Sequence, residues 1–309
     1  MQPTIYIPNF NGADRLGAVL RALGEQTAAC EVVLIDNGST DDSVELARRE
    51  LPEVRVIEFG ENLGFGPAIN RAVAEQPGDP VILLNNDAVP EPRFVEALLD
   101  GLGTGVDSVA GVLTQERAPE LIDSAGVVAD RTLMGFDYLH GEPLTALDRA
   151  APPLGPTGGA ALYRREAFES VGGFDERIFL YYEDLDLGLR LAARGGRCRL
   201  APGARALHAY SASLGAASAG KYARTGWSRG YMLRRYGVMC SPRLALRALA
   251  CEGALCAGQL FRDRTTAGLQ GRLRGWRDAS GLERRDVADA PLLDLSAREA
   301  LALRRLRRG

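Results

Sequence analysis

The sequence predicts an α/β fold in which helices flank a mostly parallel sheet, followed by a helical C-terminal extension. Two observations carry this prediction. In residues 4–84, short runs of branched apolar residues alternate four times with amphipathic segments, as in parallel strands joined by helical crossovers. From residue 221 onward the pattern of apolar side chains is helical.

The elements of the first hundred residues follow from the spacing of their apolar side chains. The predicted strands are at residues 4–8, 31–36, 54–57 and 81–84, and the predicted helices are at 14–26, 43–51, 67–75 and 94–99. Four consecutive branched apolar residues, 81–84, are typical of a strand that is buried on both faces. This strand stops abruptly at Asn85-Asn86-Asp87.

The regular alternation ends after residue 100. The further predicted strands are at residues 109–113, 125–128, 158–163, 197–200 and 204–208, and the further helices are at 165–171 and 184–194. Leucines alternate at 185–191 as in a strand, but acids before them and Gly195-Gly196 after them favour a helix. Residues 135–156 are rich in Gly, Pro and acids and are predicted to form a loop over a site.

Charge is distributed unevenly along the chain. Residues 1–219 carry 18 Arg and 32 acids, a net charge of −14, whereas residues 220–309 carry 19 basic residues and 8 acids, a net charge of +11. We therefore expect an α/β domain at 1–236 and a basic helical extension at 237–309, with helices at 222–236, 242–261, 269–276 and 301–308. Two interpretations stay open. The basic part docks on an anionic membrane rather than on nucleic acid, or it packs on the α/β domain or forms a homo-oligomer.

The composition is typical of a soluble globular protein, with 46% hydrophobic and 25% charged residues. No apolar run approaches the ~20 residues of a membrane span, and the chain enters a strand directly after residue 3. The five cysteines include no Cys-x-x-Cys pair, which favours reduced thiols over a zinc site or a disulfide framework. We therefore expect a cytoplasmic protein, peripheral at the inner face of the cell membrane if the basic part docks there.

Polar side chains and glycines follow each of the first four predicted strands. They are Asn9 and Asn11, Asp36, the Asn62–Gly66 segment, and Asn86 with Asp87. Parallel strands end at one edge of a sheet, where ligands bind. The glycines let backbone N–H groups approach a phosphate, and Asp87 suits a hard cation held mainly by phosphate oxygens. Turn and capping chemistry explains each feature singly, but together they favour a nucleotide-diphosphate site.

Three longer motifs carry a family resemblance. They are Asp36-Asn37-Gly38-Ser39-Thr40-Asp41-Asp42-Ser43, Asn62-Leu63-Gly64-Phe65-Gly66 with Asn70-Arg71, and Gly172-Gly173-Phe174-Asp175 before Tyr182-Glu183-Asp184-Leu185-Asp186. Together they resemble inverting family 2 glycosyltransferases with the GT-A fold. Within that family the chain is most similar to rhamnosyltransferase-type enzymes of bacterial surface polysaccharide assembly. The resemblance covers roughly residues 3–236.

The resemblance implies two substrates and the residues that bind them. The donor would be a UDP- or dTDP-sugar, for example dTDP-rhamnose, and the acceptor a hydroxyl of a glycan or of a polyprenyl-diphosphate-linked sugar. The implied donor-binding residues are Pro8, Asn9, Asn11, Asp36, Asn62, Gly64, Phe65, Gly66, Asn70 and Asn86, and the implied acceptor-binding residues are Gly158, Gly159 and Tyr182. Asp184 would be the catalytic base, with Glu183 as the competing candidate.

The resemblance also implies a metal site. Asp87 would be the last acid of the family's Asp-x-Asp motif and would bind Mg²⁺ or Mn²⁺ together with His208. This chain carries Asn85-Asn86-Asp87 instead, so one carboxylate is missing and weaker metal binding is expected. His140 and His208 are its only histidines, and only His208 ends a predicted strand. The alternative for His208 is a purely structural role.

These roles imply a single displacement with inversion. Breaking the sugar–phosphate bond leaves a diphosphate anion, which a divalent cation stabilises, while a carboxylate on the opposite face removes the acceptor's proton. A dehydrogenase is disfavoured because no Gly-x-Gly-x-x-Gly follows the first strand. A sugar-phosphate nucleotidyltransferase would carry a longer, Gly-rich basic loop there. A non-catalytic nucleotide-sugar-binding scaffold is the remaining alternative.

Overall fold

A computed structural model describes residues 2–76, 78–209, 218–287 and 290–306, with the backbone alone at 304–306. The strands are β1 (Thr4–Asn9), β2 (Glu31–Asp36), β3 (Arg55–Glu58), β4 (Val81–Leu84), β5 (Ala88–Pro90), β6 (Ser108–Gln115), β7 (Ala118–Ser124), β8 (Val127–Ala129), β9 (Gly135–Asp137), β10 (Ala160–Tyr163) and β11 (Cys198–His208). The α-helices are α1 (Ala13–Gly24), α2 (Ser43–Glu50), α3 (Phe65–Glu75), α4 (Phe94–Gly101), α5 (Arg165–Ser170), α6 (Glu183–Ala192), α7 (Ala219–Arg235), α8 (Pro242–Asp263), α9 (Ala267–Asp278) and α10 (Ala297–Leu306).

The main sheet has the strand order β3-β2-β1-β4-β10-β6-β11-β5, and β7 pairs with β6. The first four strands are parallel to one another, as predicted, and the register sets Asn9 opposite Asp36 at the ends of β1 and β2. Strand β10 runs antiparallel between β4 and β6, so the complete sheet is mixed. This antiparallel pairing brings Gly159 beside Asn85, whose backbone N–H donates to the Gly159 carbonyl oxygen at 3.3 Å.

Strand β4 is buried on both faces, as its four branched residues predict. Ile82 and Leu84 belong to the core formed with α1 and α4, whereas Val81 and Leu83 belong to the core formed with α3, α5 and α6. Helices therefore cover both sides of the sheet. The polar residues that follow β4 emerge from this rigid centre at the sheet edge.

The predicted elements of the first hundred residues are confirmed, each within two residues of its expected bounds. The two strands expected at 197–200 and 204–208 are one strand, β11, with an irregularity between Leu200 and Arg205, because both halves pair with β6. The expected loop at 135–156 contains β9, which pairs with β8, and a 3₁₀ turn at Leu144–Arg149. The predicted helix at 301–308 is present as α10, and residues 307–309 lie outside the described residues.

Two of the C-terminal helices, α7 and α9, pack against each other through close backbone contacts. A Cβ atom on Gly230 of α7 would lie 2.0 Å from the Arg272 carbonyl oxygen of α9, and one on Gly275 would lie 1.9 Å from the Trp227 carbonyl oxygen. The two helices therefore touch backbone to backbone at their glycines. The division of the chain at residue 236 stays a prediction.

Helix α8 corrects one expectation from the sequence. Its length, and a mean hydropathy of 1.3 over an 18-residue window, make it long and apolar enough to cross a membrane. The charged residues Arg247 and Glu252 interrupt the apolar run, so a search for an uninterrupted run missed the segment. Only 22% of that window is buried in the structure.

Candidate active site

A cavity of about 610 Å³ lies at the edge of the sheet where β1 and β4 end. Most of the residues predicted for a site line it: Pro8, Asn9, Asn11, Asn62, Gly64, Phe65, Asn86, Asp87, Gly158, Gly159, Tyr182, Glu183, Asp184 and His208. Asp36, Gly66 and Asn70 lie behind this lining. The fold thus brings together residues as far apart in the chain as Pro8 and His208.

Asn9 connects the polar residues at the ends of the strands. Its side-chain oxygen accepts a hydrogen bond from Asn86 Nδ2 at 2.7 Å, and its Nδ2 donates to Ser43 Oγ at 2.9 Å. Asp36 is buried beside it and accepts from the Ser39 backbone N–H at 3.1 Å. Asp36 therefore holds the turn after β2, and its expected contact with a nucleoside stays a prediction.

Asn37 determines the shape of the loop that contains Asn62 and Gly64. Its Nδ2 donates to the Gly64 carbonyl oxygen at 3.0 Å, and its side-chain oxygen accepts from the Leu63 N–H at 2.9 Å. Gly64 has a φ of 93°, and a Cβ there would lie 2.6 Å from the Phe179 carbonyl oxygen. Only glycine fits this position, because the loop lies directly against the segment that leads to α6.

Gly66 and Asn70 attach the Gly172–Asp175 motif to helix α3. Asn70 Nδ2 donates to the Phe174 carbonyl oxygen at 2.9 Å, and Asn70 Oδ1 accepts from the Phe174 N–H at 2.8 Å. A Cβ on Gly66 would lie 2.7 Å from the Phe174 Cβ. These contacts explain both motif residues structurally, and their expected part in donor binding stays a prediction.

Asp87 and His208 face each other at the cavity wall, with Asp87 Oδ1 3.3 Å from His208 Nε2. His208 Nδ1 donates to Asp123 Oδ2 at 2.6 Å. This bond fixes the ring and directs Nε2 toward Asp87, which is the second-sphere arrangement of metal-ligating histidines. In the described part of the chain, no group of three or more His, Cys, Asp or Glu could hold a metal ion. A divalent cation held by this pair would have to take its remaining ligands from phosphate oxygens and water.

Asp123 is a site residue that sequence reasoning missed. Both histidines converge on it, because His140 Nδ1 donates to the Asp123 carbonyl oxygen at 2.8 Å. Burial raises the pKa of Asp123, but the hydrogen bonds from His140 and His208 outweigh this and lower it to about 2. Burial lowers the pKa of His208, but Asp123 and Asp87 outweigh this and raise it to about 9. A cation bound at Nε2 would have to displace that proton.

Glu183 and Asp184 open helix α6 and line the same cavity. Asp184 Oδ1 accepts from the Leu185 N–H at 2.7 Å. Burial raises the pKa of Asp184, and hydrogen bonds from the Leu185 and Gly158 N–H groups oppose the rise. Burial and the neighbouring Asp184 charge raise the pKa of Glu183, whose Oε2 finds no hydrogen-bond partner among the described residues. Two buried carboxyls with raised pKa values in a cavity are typical of acid–base chemistry.

Two consecutive tyrosines in the left-handed conformation lead into this helix. Tyr181 has a φ of 69° and Tyr182 a φ of 74°. Such residues cost on the order of 1–3 kcal/mol each and are concentrated at functional sites.

The same wall carries two cations from α7 that sequence reasoning also missed. The Arg224 guanidinium lies 5.1 Å from the Phe179 ring centre, and Lys221 Nζ lies 5.8 Å from that of Tyr181.

Known proteins share both sequence and fold with this chain. The profile of the family described as Glycosyl transferase family 2 matches residues 4–172. The chain belongs to glycosyl transferase family 2. This glycosyltransferase is 35% identical over 208 residues to N-acetylglucosaminyl-diphospho-decaprenol L-rhamnosyltransferase of Mycobacterium tuberculosis, a match that covers 60% of the chain and 68% of that relative.

Solved glycosyltransferase structures resemble this family 2 enzyme in fold. Mannosyltransferase PcManGT from Pyrobaculum calidifontis, in complex with GDP-Man and Mn²⁺, aligns with a TM-score of 0.54 at 18% identity over 90% of this chain and 86% of that one. GalNAc-T7 with UDP, GalNAc and Mn²⁺ aligns with a TM-score of 0.63 at 15% identity over 92% and 55% of the two chains. The expected GT-A fold is confirmed, and at these identities the likeness concerns the fold alone.

Proposed function

We propose that this glycosyltransferase transfers a sugar from a nucleotide-diphosphate donor to a hydroxyl of a lipid-diphosphate-linked acceptor, with inversion at the anomeric carbon. One observation carries the proposal. The Asp87–His208 pair and the Glu183–Asp184 pair line one cavity, so a group suited to a diphosphate and a group suited to a proton share the same space. A single displacement needs these two functions on the two sides of the sugar.

Asp184 is the proposed catalytic base. Its carboxylate receives hydrogen bonds from two backbone N–H groups, which hold its orientation at the start of α6. Its ionised form lies in the positive field of the helix N-terminus. Glu183 is more deeply buried, and its Oε2 meets no donor in the described residues, so it is better suited to stay protonated. The acceptor hydroxyl would give its proton to Asp184 as its oxygen attacks the sugar.

The donor would occupy the side of the cavity formed by the ends of β1 and β4. Asn9, Asn86 and the Gly64 loop supply amides and backbone N–H groups for the nucleoside diphosphate. Asp87 and His208 would hold Mg²⁺ or Mn²⁺, which neutralises the leaving diphosphate when bound. A UDP- or dTDP-sugar is the proposed donor class, with dTDP-rhamnose first, since the M. tuberculosis relative is an L-rhamnosyltransferase.

The proposed acceptor is a sugar on a polyprenyl diphosphate, the kind of molecule in that relative's name. Lys221 and Arg224 bring two positive charges to the cavity, which the expected acceptor-binding residues Gly158, Gly159 and Tyr182 also line. A lipid-linked acceptor implies reaction at a membrane, and the net charge of +11 in residues 220–309 supports peripheral contact with an anionic leaflet. We propose that the enzyme acts at the cytoplasmic face of the cell membrane.

A transfer assay tests the proposal. Purified enzyme is mixed with UDP- and dTDP-sugars, a short-chain polyprenyl-diphosphate N-acetylglucosamine, and Mg²⁺ or Mn²⁺. Release of nucleoside diphosphate and the NMR coupling of the new anomeric proton are measured. We expect acceptor-dependent release with inverted configuration. Retained configuration would contradict the single displacement, and donor binding without release under any combination would support the scaffold alternative.

A further inference from the structure

The orientation of helix α8 is the reverse of that of an ordinary amphipathic helix in a globular protein, whose apolar face is turned toward the core. The two charged residues in the middle of the helix, Arg247 and Glu252, face the protein. Glu252 accepts from Arg229 Nε at 2.5 Å and from Arg272 Nε at 2.6 Å, and Arg247 Nη2 donates to Asp130 Oδ2 at 2.6 Å. These ion pairs fix the inner face of α8 to α7, to α9 and to the segment after β8.

The outer face of α8 is apolar. Its large side chains are Leu246, Leu249, Leu260 and Phe261, which are 73%, 61%, 48% and 82% exposed. Ala250, Gly253 and Ala254 lie exposed between them at helical spacing. From residue 246 to residue 261 this outer face, here called the α8 face, carries no charge along about 22 Å of described helix. Soluble monomers rarely expose such a continuous apolar stripe without a partner.

Arginines flank the α8 face at both ends. Arg243 is exposed in the first turn, and Arg262 and Arg264 are exposed at the last turn. Asp263, the acid among them, accepts a hydrogen bond from the Tyr222 hydroxyl at 2.7 Å. Apolar side chains between exposed cations match the boundary between the acyl chains and the headgroups of an anionic bilayer.

The same arrangement disfavours two other roles for α8. A second copy of the chain seated on the α8 face would bring arginines against arginines in either orientation, because both ends of the helix are basic. A membrane-spanning role would break the Arg229–Glu252–Arg272 and Arg247–Asp130 pairs and carry charges of α8 into hydrocarbon. A helix lying on the surface keeps these pairs intact.

We propose that the α8 face binds an anionic membrane surface as an interfacial helix. The proposal deepens the lipid-linked acceptor and rests on it for its purpose, although lipid binding itself is independent of transfer. Helix α7 provides the connection, since it lines the cavity at Lys221 and Arg224 and bonds to α8 through Arg229. Docking of α8 would therefore hold the acceptor side of the cavity at a fixed orientation to the bilayer.

Sedimentation with vesicles tests the proposal on the full-length protein. The vesicles are phosphatidylcholine alone, or with 30% phosphatidylglycerol, at low and high salt. We expect the parent to sediment with the anionic vesicles and the double variant Leu249→Glu/Phe261→Glu to lose at least tenfold in partition coefficient. The control Arg48→Gln/Arg93→Gln changes the net charge by the same amount on the α/β part, through two exposed surface pairs, and should bind like the parent.

The depth of binding separates an interfacial helix from a spanning one. Tryptophan is introduced on the α8 face by Phe261→Trp, by Leu249→Trp, or by both changes together. Lipids brominated near the headgroup should quench the fluorescence of the introduced tryptophan more than lipids brominated near the chain end. Deeper quenching would overturn the proposal, as would a parent that stays in the supernatant or a Leu249→Glu/Phe261→Glu variant that sediments like the parent. Transfer to a short-chain soluble acceptor is measured in parallel. If the parent does not transfer sugar to that acceptor, the proposed function is contradicted, and the result with vesicles is unaffected.

Discussion

The Asp186 carboxylate accepts a hydrogen bond from Arg285 Nη1 at 2.5 Å, across 99 positions of the chain. The same guanidinium lies 2.8 Å from Asp175 Oδ2, and the Tyr236 hydroxyl donates to Asp186 Oδ1 at 2.7 Å. Asp186 lies one turn into α6, the helix that opens with Glu183 and Asp184. A residue of the basic C-terminal part therefore holds the helix that carries the proposed base.

We predict that Arg285→Gln weakens both the fold and catalysis. The change removes the guanidinium that two buried carboxylates share. Asp186 keeps Arg190 Nε at 2.7 Å and Asp175 keeps the Tyr231 hydroxyl at 2.6 Å, so the loss of unfolding free energy should stay below the cost of about 3–5 kcal/mol for a buried carboxylate left uncompensated. Arg285 is a positioning residue, so kcat should fall while the donor KM changes little. Urea unfolding and initial rates measure the two effects. Arg284→Gln, an exposed neighbour, is the control, and equal stability of the two variants would contradict the prediction.

The sequence predicts those parts of the site that follow strong apolar runs. Asn9 and Asp36 end buried strands and Asp87 follows one closely, so their convergence at one sheet edge follows from parallel topology alone. Asp123 could not be found this way, since it is the penultimate residue of β7, a partly exposed strand of mixed polarity with no periodic signal. Arg285 lies in a segment without regular structure, and only the folded chain shows its partner.

The orientation of α8 was equally hidden in the sequence. Helical spacing predicts which residues share a face, but it assumes that the apolar face turns inward. In α8 the ion pairs of Arg247 and Glu252 decide the opposite orientation, and their partners Asp130, Arg229 and Arg272 lie on other elements. Hydrophobic periodicity therefore does not predict ion pairs between residues that are distant in the sequence, and in α8 these pairs set the orientation of the helix.

We predict that Asp123→Asn weakens metal binding tenfold to a hundredfold. The substitution keeps the shape of the side chain but removes the carboxylate that orients His208, and outer-sphere partners of metal ligands typically contribute this much. Calorimetric titration of Mn²⁺ into the enzyme with a nucleoside diphosphate measures it. His140→Gln, which leaves the His208–Asp123 bond in place, should bind like the parent. Unchanged affinity in Asp123→Asn would remove Asp123 from the metal site.

We predict that Gly230→Ala disrupts the contact between α7 and α9. The new Cβ would lie 2.0 Å from the Arg272 carbonyl oxygen, which belongs to a helix backbone and cannot rotate away. Overpacking of this kind costs about 1–3 kcal/mol or more. Gly253→Ala on the outer face of α8 meets no atom within 4 Å and should stabilise the protein by about 0.5–1 kcal/mol. Chemical denaturation of both variants measures the contrast, and a neutral Gly230→Ala would show that the helices can separate.

We predict that Asp184→Asn lowers turnover by about 10²–10⁴-fold while donor affinity persists. The amide keeps the oxygen that accepts from the Leu185 N–H but cannot take a proton from the acceptor. Initial rates and calorimetric donor binding measure the two quantities. Glu183→Gln is the matched comparison, since it removes the neighbouring carboxyl with equal conservation of shape. An inactive Glu183→Gln beside an active Asp184→Asn would assign the base to Glu183, and two active variants that melt earlier would show that both acids serve only the fold.

The pH dependence of the rate gives an independent check on the base. Burial raises the pKa of Asp184 to about 6, so the carboxylate is ionised and able to accept a proton only above that value. We therefore expect kcat/KM of the parent to rise as the pH increases through about 6, because the free enzyme must bind substrates with its base unprotonated. The residual activity of Asp184→Asn should lack this rise. A parent profile that is flat from pH 5 to pH 8, or a rise that persists unchanged in Asp184→Asn, would place the proton acceptor on another group.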